Sequence, residues 1–206
     1  MKTADAIAEI LRREGVAWVI GYPVNHVLER GAAAGLRPII VRQERTGLHM
    51  ADAVSRVTSG DQLGVFCMQH GPGTENSYGG IAQAYSESVP ILVMPMGYAR
   101  RQAWLHPNYN ASLQMQGITK SAEPITAAKE IPAIFRRAFS RLKTGRGGPG
   151  LVEIPVDVWN EEIDSLDYVP PPRVRSGPDP EDVRRAAALV VKAKRPVIYA
   201  GQGVHW

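Results

Sequence analysis

Short apolar runs alternate with amphipathic stretches along most of the chain. Thr3 can cap a first helix in which Ile7, Ile10 and Leu11 share one face, and Gly15 can stop it. Residues 16–20, Val-Ala-Trp-Val-Ile, predict a buried strand ending in Gly21-Tyr22-Pro23. A second helix is predicted over 25–34, with Gly35 as its stop. Residues 38–41 read as the next strand, and 44–58 as a helix ended by Ser59-Gly60. A strand over 63–68, the turn Gly71-Pro72-Gly73, a helix over about 74–85 and a strand over 90–94 follow in the same rhythm. Residues 97–117 hold Tyr, Trp, His, Asn and Gln without periodicity and predict a long functional or mobile loop. Beyond it, 130–143 is amphipathic through Ile131, Ile134, Phe135, Phe139 and Leu142, and 151–155 is a last strand.

Strands alternating with helices predict an α/β fold, a parallel sheet flanked by helices on both faces. The boundaries follow from composition. Residues 1–167 form the first domain, and 168–180, with five prolines, form an extended linker. Residues 181–206 supply one helix, opened by Asp179-Pro180-Glu181-Asp182, and one strand over 197–200. One helix and one strand cannot enclose a core, so this segment is expected to be the incomplete start of a second α/β domain.

Charge and composition narrow the function classes. The 24 basic residues are scattered among 20 acidic ones, and the net charge of +4 forms no basic stripe with interleaved aromatics, so no nucleic-acid partner is expected. No run approaches the ~18 apolar residues of a membrane span. The opening residues carry acids at Asp5 and Glu9, unlike a secretory signal. One cysteine leaves no internal disulfide framework and no zinc cluster, in keeping with a cytoplasmic protein.

The candidate chemistry lies just past three successive strands, where parallel sheets place their ligands. Glu44 follows the second strand at a helix start. By position alone, a carboxylate favoured by the helix dipole is the commoner reason for an acid there. Gln69-His70-Gly71-Pro72-Gly73-Thr74-Glu75-Asn76 follows the third strand, with glycines that let a ligand approach and free amides at a helix start. It fits no nucleotide motif and reads equally as a tight strand–helix turn. Gly21-Tyr22-Pro23-Val24-Asn25-His26 follows the first strand. Convergence of all three on one sheet edge raises the case for a site.

In this order and spacing, Gly21-Tyr22-Pro23, Val41-Arg42-Gln43-Glu44-Arg45-Thr46-Gly47, Gly71-Pro72-Gly73-Thr74-Glu75-Asn76, residues 84–92 and Gly148-Pro149-Gly150 with the strand after it resemble the acetolactate synthase-like superfamily of thiamine diphosphate enzymes. The resemblance covers roughly residues 2–160, the N-terminal pyrimidine-binding domain, and residues 180–203 resemble the start of the family's central domain. It implies the thiamine diphosphate-binding fold, with Glu44 as the partly desolvated carboxylate that activates the cofactor through its aminopyrimidine. Pro23, Pro72 and Asn76 match positions lining the pyrimidine pocket. Asn25, Gln69 and His70 become substrate-facing candidates. The diphosphate and Mg²⁺ are expected on a domain absent from this chain, supplied by a partner subunit of a homodimer or tetramer, and no metal ligand is expected here. Leu48, Met50, Val54, Tyr78, Ile81 and Tyr85 exceed what two helices need for one-sided packing and mark a candidate interface.

The sequence also departs from the synthases. Val24-Asn25 stands where they usually have Gly-Gly, Gln69-His70 where they have Thr-Ser, and Asn110-Ala111-Ser112 where they have Phe-Gln-Glu. These departures argue against acetolactate synthase in the strict sense. The implied function is the N-terminal part of a thiamine diphosphate-dependent lyase or carboligase acting on 2-oxo acid or acyl substrates. A half-enzyme needing a separate diphosphate-binding chain, or a non-catalytic module of the same fold, are the alternatives.

Overall fold

The computed structural model describes residues 1–205. In chain order they form α1 (Thr3–Arg13), β1 (Trp18–Gly21), α2 (His26–Ala33), β2 (Arg37–Ile40), α3 (Glu44–Val57), β3 (Gly64–Met68), α4 (Pro72–Ser86) and β4 (Ile91–Gly97). There follow α5 (Ala111–Gln114), β5 (Ser121–Pro124), α6 (Ile131–Lys143), β6 (Gly150–Pro155) and α7 (Pro180–Lys192). The strands pair in the order β2-β1-β3-β4-β6-β5, and each of these pairs is parallel. Pairing of β4 with β6 runs through Leu92↔Gly150 and Val93↔Leu151, then resumes at Met96↔Ile154. The gap falls at Pro95, which has no N–H to give to a ladder.

Alternation along the central strands builds two cores. Val65 and Cys67 of β3 face one side, with Leu92, Met94, Val152 and Ile154, and pack against α1, α2 and α6 through Ile7, Leu11, Leu28, Phe135 and Phe139. Phe66 and Met68 face the other side, with Ile91, Val93 and Leu151, and pack against α3 and α4 through Leu48, Ala51, Ile81 and Ala84. Both faces of β3 and β4 are therefore dry, as an all-parallel sheet requires. Cys67, the single cysteine, is fully buried, and burial pushes its thiol pKa up.

Helix α3 lies unusually close to the sheet. A Cβ on Gly64 would stand 1.9 Å from the Ala51 carbonyl oxygen, and one on Gly47 would stand 2.4 Å from the Phe66 ring. On α4, a Cβ on Gly80 would come within 2.4 Å of Leu48. Three missing side chains thus let α3 seat against β3 and α4 together.

Several sequence expectations are corrected. Thr3 is the first helical residue rather than the cap. Lys2 takes the cap position without a side-chain bond, and the Thr3 hydroxyl donates to the Glu161 carbonyl at 3.1 Å. The start of α1 is pinned by the segment after β6, through Thr3 N–H to Glu161 and a bridge between Lys2 and Glu162. Helix α4 starts two residues early because Pro72, lacking an N–H, suits the first turn. The aperiodic stretch after β4 is not all loop: Asn110 caps α5, its Oδ1 accepting from Leu113 N–H at 2.8 Å. Strand β5, Ser-Ala-Glu-Pro, escapes a hydrophobic pattern because it is a half-buried edge. The strand expected over 197–200 does not form. Val197, Ile198 and Tyr199 are 91%, 83% and 99% exposed, with no neighbouring strand among the described residues. Of the proposed interface residues, Leu48 and Ile81 are fully buried in the second core, while Met50, Tyr78 and Tyr85 stay on the outer surface and Val54 is half-buried.

Gly64→Ala is expected to destabilise the protein by about 1–3 kcal/mol, because the new methyl meets backbone that cannot rotate away. Urea unfolding followed by circular dichroism measures it. Ala at Gly79, where a Cβ meets nothing within 4 Å, is the neutral control.

Candidate functional site

The carboxyl ends of β1, β2, β3 and β4 open onto one edge, and each is followed by a turn. Gly21 closes β1 against β3. A Cβ there would stand 2.5 Å from the Cys67 sulfur, and the next residue, Tyr22, donates its N–H to the Cys67 carbonyl at 3.1 Å. Pro23 and Val24 are exposed at this turn. Asn25 is not: it is 4% exposed. Its Oδ1 accepts from Val27 N–H at 3.0 Å and caps α2. Its Nδ2 donates to the Met68 carbonyl at 3.0 Å and to the Met94 carbonyl at 3.1 Å. The Asn25 side chain therefore ties together the ends of β1, β3 and β4, with its donors and acceptor all engaged.

Glu44 is the first residue of α3 and is 6% exposed. Helix N-terminal amides favour a carboxylate at this position. Its Oε2 accepts from Asn76 Nδ2 at a long 3.4 Å, the one hydrogen bond this carboxylate makes among the described residues. Its Oε1 lies 3.3 Å from where a Cβ on Gly73 would stand. The second and third turns thus meet here: α3 supplies the carboxylate, and α4 supplies Asn76 and a glycine that leaves room beside it. Pro72 and Asn76 are exposed on the same turn of α4.

Gln69 and His70 are half-buried between β3 and α4. Gly71, at φ 56° and ψ −113°, makes the sharp turn that a residue with a side chain would resist. The His70 ring meets the Tyr98 ring edge-on, with centroids 4.6 Å apart at 66°. His70 Nδ1 is buried without a hydrogen-bond partner. Pro23, Glu44, Pro72, Asn76, Gln69 and His70 accordingly share one strand edge, with Asn25 beneath them. Tyr98 was missed by the sequence reading, which ended β4 at Met94. The extra three residues of β4 carry Tyr98 to the edge, and a fourth strand end after Gln69-His70 was the signal available. Glu153, also missed, is a buried carboxylate of β6 that accepts Ser112 N–H at 2.8 Å and holds the start of α5.

Three cavities of about 420 Å³ or more border this architecture, and Glu44 lines none of them. One of about 420 Å³ lies behind the first turn, walled by Pro23, Val24, Leu28, Pro38 and Ile40. The largest, about 810 Å³, lies at the opposite edge, beside Ser59, Ser88, Arg146 and Arg173. Glu44 sits instead at the start of α3, on the carboxyl edge of the sheet. Among the described residues no group of three or more His, Cys, Asp or Glu could hold a metal ion, and no helix is long and apolar enough to cross a membrane.

The geometry thus sets a buried carboxylate with one long hydrogen bond at a helix start on the carboxyl edge of a parallel sheet. The family model for thiamine pyrophosphate enzymes, N-terminal TPP binding domain, matches residues 1–116, and the chain belongs to that family. The acetolactate synthase large subunit of Buchnera aphidicola subsp. Schizaphis graminum is 31% identical over 221 residues, covering 98% of this chain and 37% of the relative. Glyoxylate carboligase of Escherichia coli O157:H7 is 31% identical over 214 residues, covering 99% and 36%. The crystal structure of benzoylformate decarboxylase from Polynucleobacter necessarius shares the fold, with a TM-score of 0.83 at 21% identity over 95% of this chain and 38% of that one. The chain thus spans little more than a third of the length of the curated relatives it matches.

Asn25→Asp separates capping from tying. Asp still caps α2 but turns a carboxylate toward the Met68 and Met94 carbonyls in place of two N–H donors. The expected loss is about 1–3 kcal/mol, read by chemical denaturation. Equal stability of the two proteins would mean that the ties to β3 and β4 contribute nothing.

Proposed function

We propose that this chain is the pyrimidine-binding part of a thiamine diphosphate-dependent lyase or carboligase of the acetolactate synthase-like group, acting on 2-oxo acid or acyl substrates. The observation that carries the reading is Glu44: a buried carboxylate with a single 3.4 Å hydrogen bond, at the mouth of a parallel sheet. A buried carboxylate so poorly satisfied is suited to take a hydrogen bond from a ligand. A ring nitrogen of a heteroaromatic ligand that reaches this edge can share a proton with the carboxylate. Pro23 and Pro72 offer apolar edges to such a ring, and Asn76 orients the carboxylate from the side. The cofactor, when bound, supplies a carbon nucleophile for attack on the substrate carbonyl.

The chain's own residues have distinct tasks in this reading. Glu44 holds and moves a proton at the pyrimidine. Asn25 fixes the strand ends, so that the turn carrying Gln69 and His70 keeps its place. Gln69 and His70 face the substrate, with Tyr98 bracing the imidazole. Mg²⁺ and the diphosphate belong to the diphosphate-binding domain of a partner subunit. Homologues that are large subunits of acetolactate synthase support oligomeric assembly, and a cytoplasmic homo-oligomer fits the composition. The departures at Val24-Asn25, Gln69-His70 and Asn110-Ala111-Ser112 favour a substrate other than that of a strict acetolactate synthase.

In the complete enzyme, Glu44→Gln is expected to lower turnover roughly 10²–10⁴-fold while leaving the unfolding transition in place, since the change is nearly isosteric. Steady-state kinetics with added thiamine diphosphate and Mg²⁺ test it, and wild-type turnover in the variant would sink the assignment of Glu44.

Met50 of α3 and Tyr78 and Tyr85 of α4 remain on the outer surface of those helices, with Val54 half-buried beside Met50 one turn on, and are expected to mediate self-association. Light scattering on the chain should show a dimer or larger species that Met50→Glu with Tyr78→Arg reduces to monomer. A wild-type chain that stays monomeric at high micromolar concentration counts against this face.

A further inference from the structure

The stretch after β6 does not behave as a free linker. Tyr168 is 3% exposed, and its hydroxyl donates to Glu14 Oε1. The Glu14 side chain is fully buried, and its other oxygen accepts from Lys143 Nζ at 2.5 Å. Lys143 also donates to the Pro171 carbonyl at 3.0 Å. Arg13 donates to the Tyr168 carbonyl at 2.9 Å, and Arg136 donates to the Asp167 carbonyl at 3.0 Å with its guanidinium 5.7 Å above the Tyr168 ring. Further on, Arg173 pairs with Asp61 at 2.9 Å and donates to the Ser59 carbonyl at 3.1 Å, while Val174 bridges Thr144. Anchors therefore come from the end of α1, from α6 and from the loop between α3 and β3.

We propose that residues 168–175 are a strap of the first folding unit, locked through Glu14, and that the hinge to α7 is confined to residues 176–179. Pro170, Pro171 and Pro172 suit such a strap, because they stiffen the chain and bring no N–H groups that need partners. The lock is a buried carboxylate that balances one cation and one phenol across three separate segments, so its loss leaves a buried charge poorly compensated. Hydrogen bonding changes abruptly beyond Arg175. The side chain of Asp179 bonds only forward, to the first amides of α7, and a Cβ on Gly177 would meet nothing within 4 Å. All of α7 is exposed, and past it Gln202 reaches Glu87 and His205 reaches the Arg56 carbonyl. The strap runs beside the edge opposite Glu44, since Ser59, Asp61 and Thr144 all precede strands rather than follow them. Whatever follows 179 therefore leaves from the edge opposite Glu44.

Insertion scanning on the whole 206-residue chain tests this. A Gly-Ser-Gly-Ser insertion after Gly177 is expected to leave the melting temperature within about 1 °C, because lengthening a free hinge costs little entropy. The same insertion between Pro170 and Pro171 breaks the spacing between the Tyr168 and Arg173 anchors and is expected to lower it by about 3 °C or more. Tyr168→Phe, which removes one oxygen and no bulk, should give a loss of similar size. Equal tolerance of both insertions, or a Tyr168→Phe protein that melts with the wild type, would overturn the strap. A melting loss on insertion at Gly177 as large as that at Pro170 would likewise place the boundary elsewhere.

Discussion

The distance between α3 and the sheet governs the rest of the molecule. Backbone packs on backbone where Gly64 of β3 passes under Ala51, and Gly47 sits over the Phe66 ring. At that separation the first turn of α3 reaches the carboxyl edge of the strands, and Glu44 is drawn below the surface without leaving the helix N-terminus. The same closeness lets Leu48 fill the notch at Gly80, which fixes α4 beside α3 and sets Asn76 against the carboxylate. The site is a by-product of tight packing two turns away.

The two edges of the sheet have opposite electrostatic characters. Helices begin at the carboxyl edge, where free N–H groups favour acceptors such as Glu44 and Asn25. Helices end at the other edge, where free carbonyls call for donors. Lys120 donates to the carbonyls of Arg141 and Thr144 at the end of α6, and Arg173 donates to the Ser59 carbonyl just past α3. Cations around the large cavity there are consumed in part by these carbonyls and by Asp61 and Glu14. Its size therefore does not set it above the under-bonded carboxylate as a candidate site.

Much of this was legible in the sequence because a parallel sheet writes a strong signal. Runs such as 63–68 and 90–94 are apolar on both faces, and the glycine and proline turns after them mark the edge. Glu44 stood out by its place after a strand at a helix start, whereas Pro72 and Asn76 were named only through the family resemblance. What escaped was information that lives in tertiary contacts. Asn25 was a substrate-facing candidate, yet its amide spans two carbonyls from distant strands. Strand β5 pairs along only one side and carries no hydrophobic period. Thr3 had the chemistry of a cap, but the segment after β6 claimed its hydroxyl. Residues 197–200 had strand propensity and no strand to pair with.

Cys67 gives the central strand a built-in clock. The thiol is the only one in the chain, lies at the middle of β3 with no exposed surface, and is held protonated by its surroundings. Alkylating reagents need both access and thiolate, and the folded state denies both. The rate at which this sulfur is labelled therefore counts openings of the sheet itself, and it ignores fraying of α7 or of the segment beyond it. A sulfhydryl reagent added to the native protein would time the least frequent motion of the fold without any engineered probe.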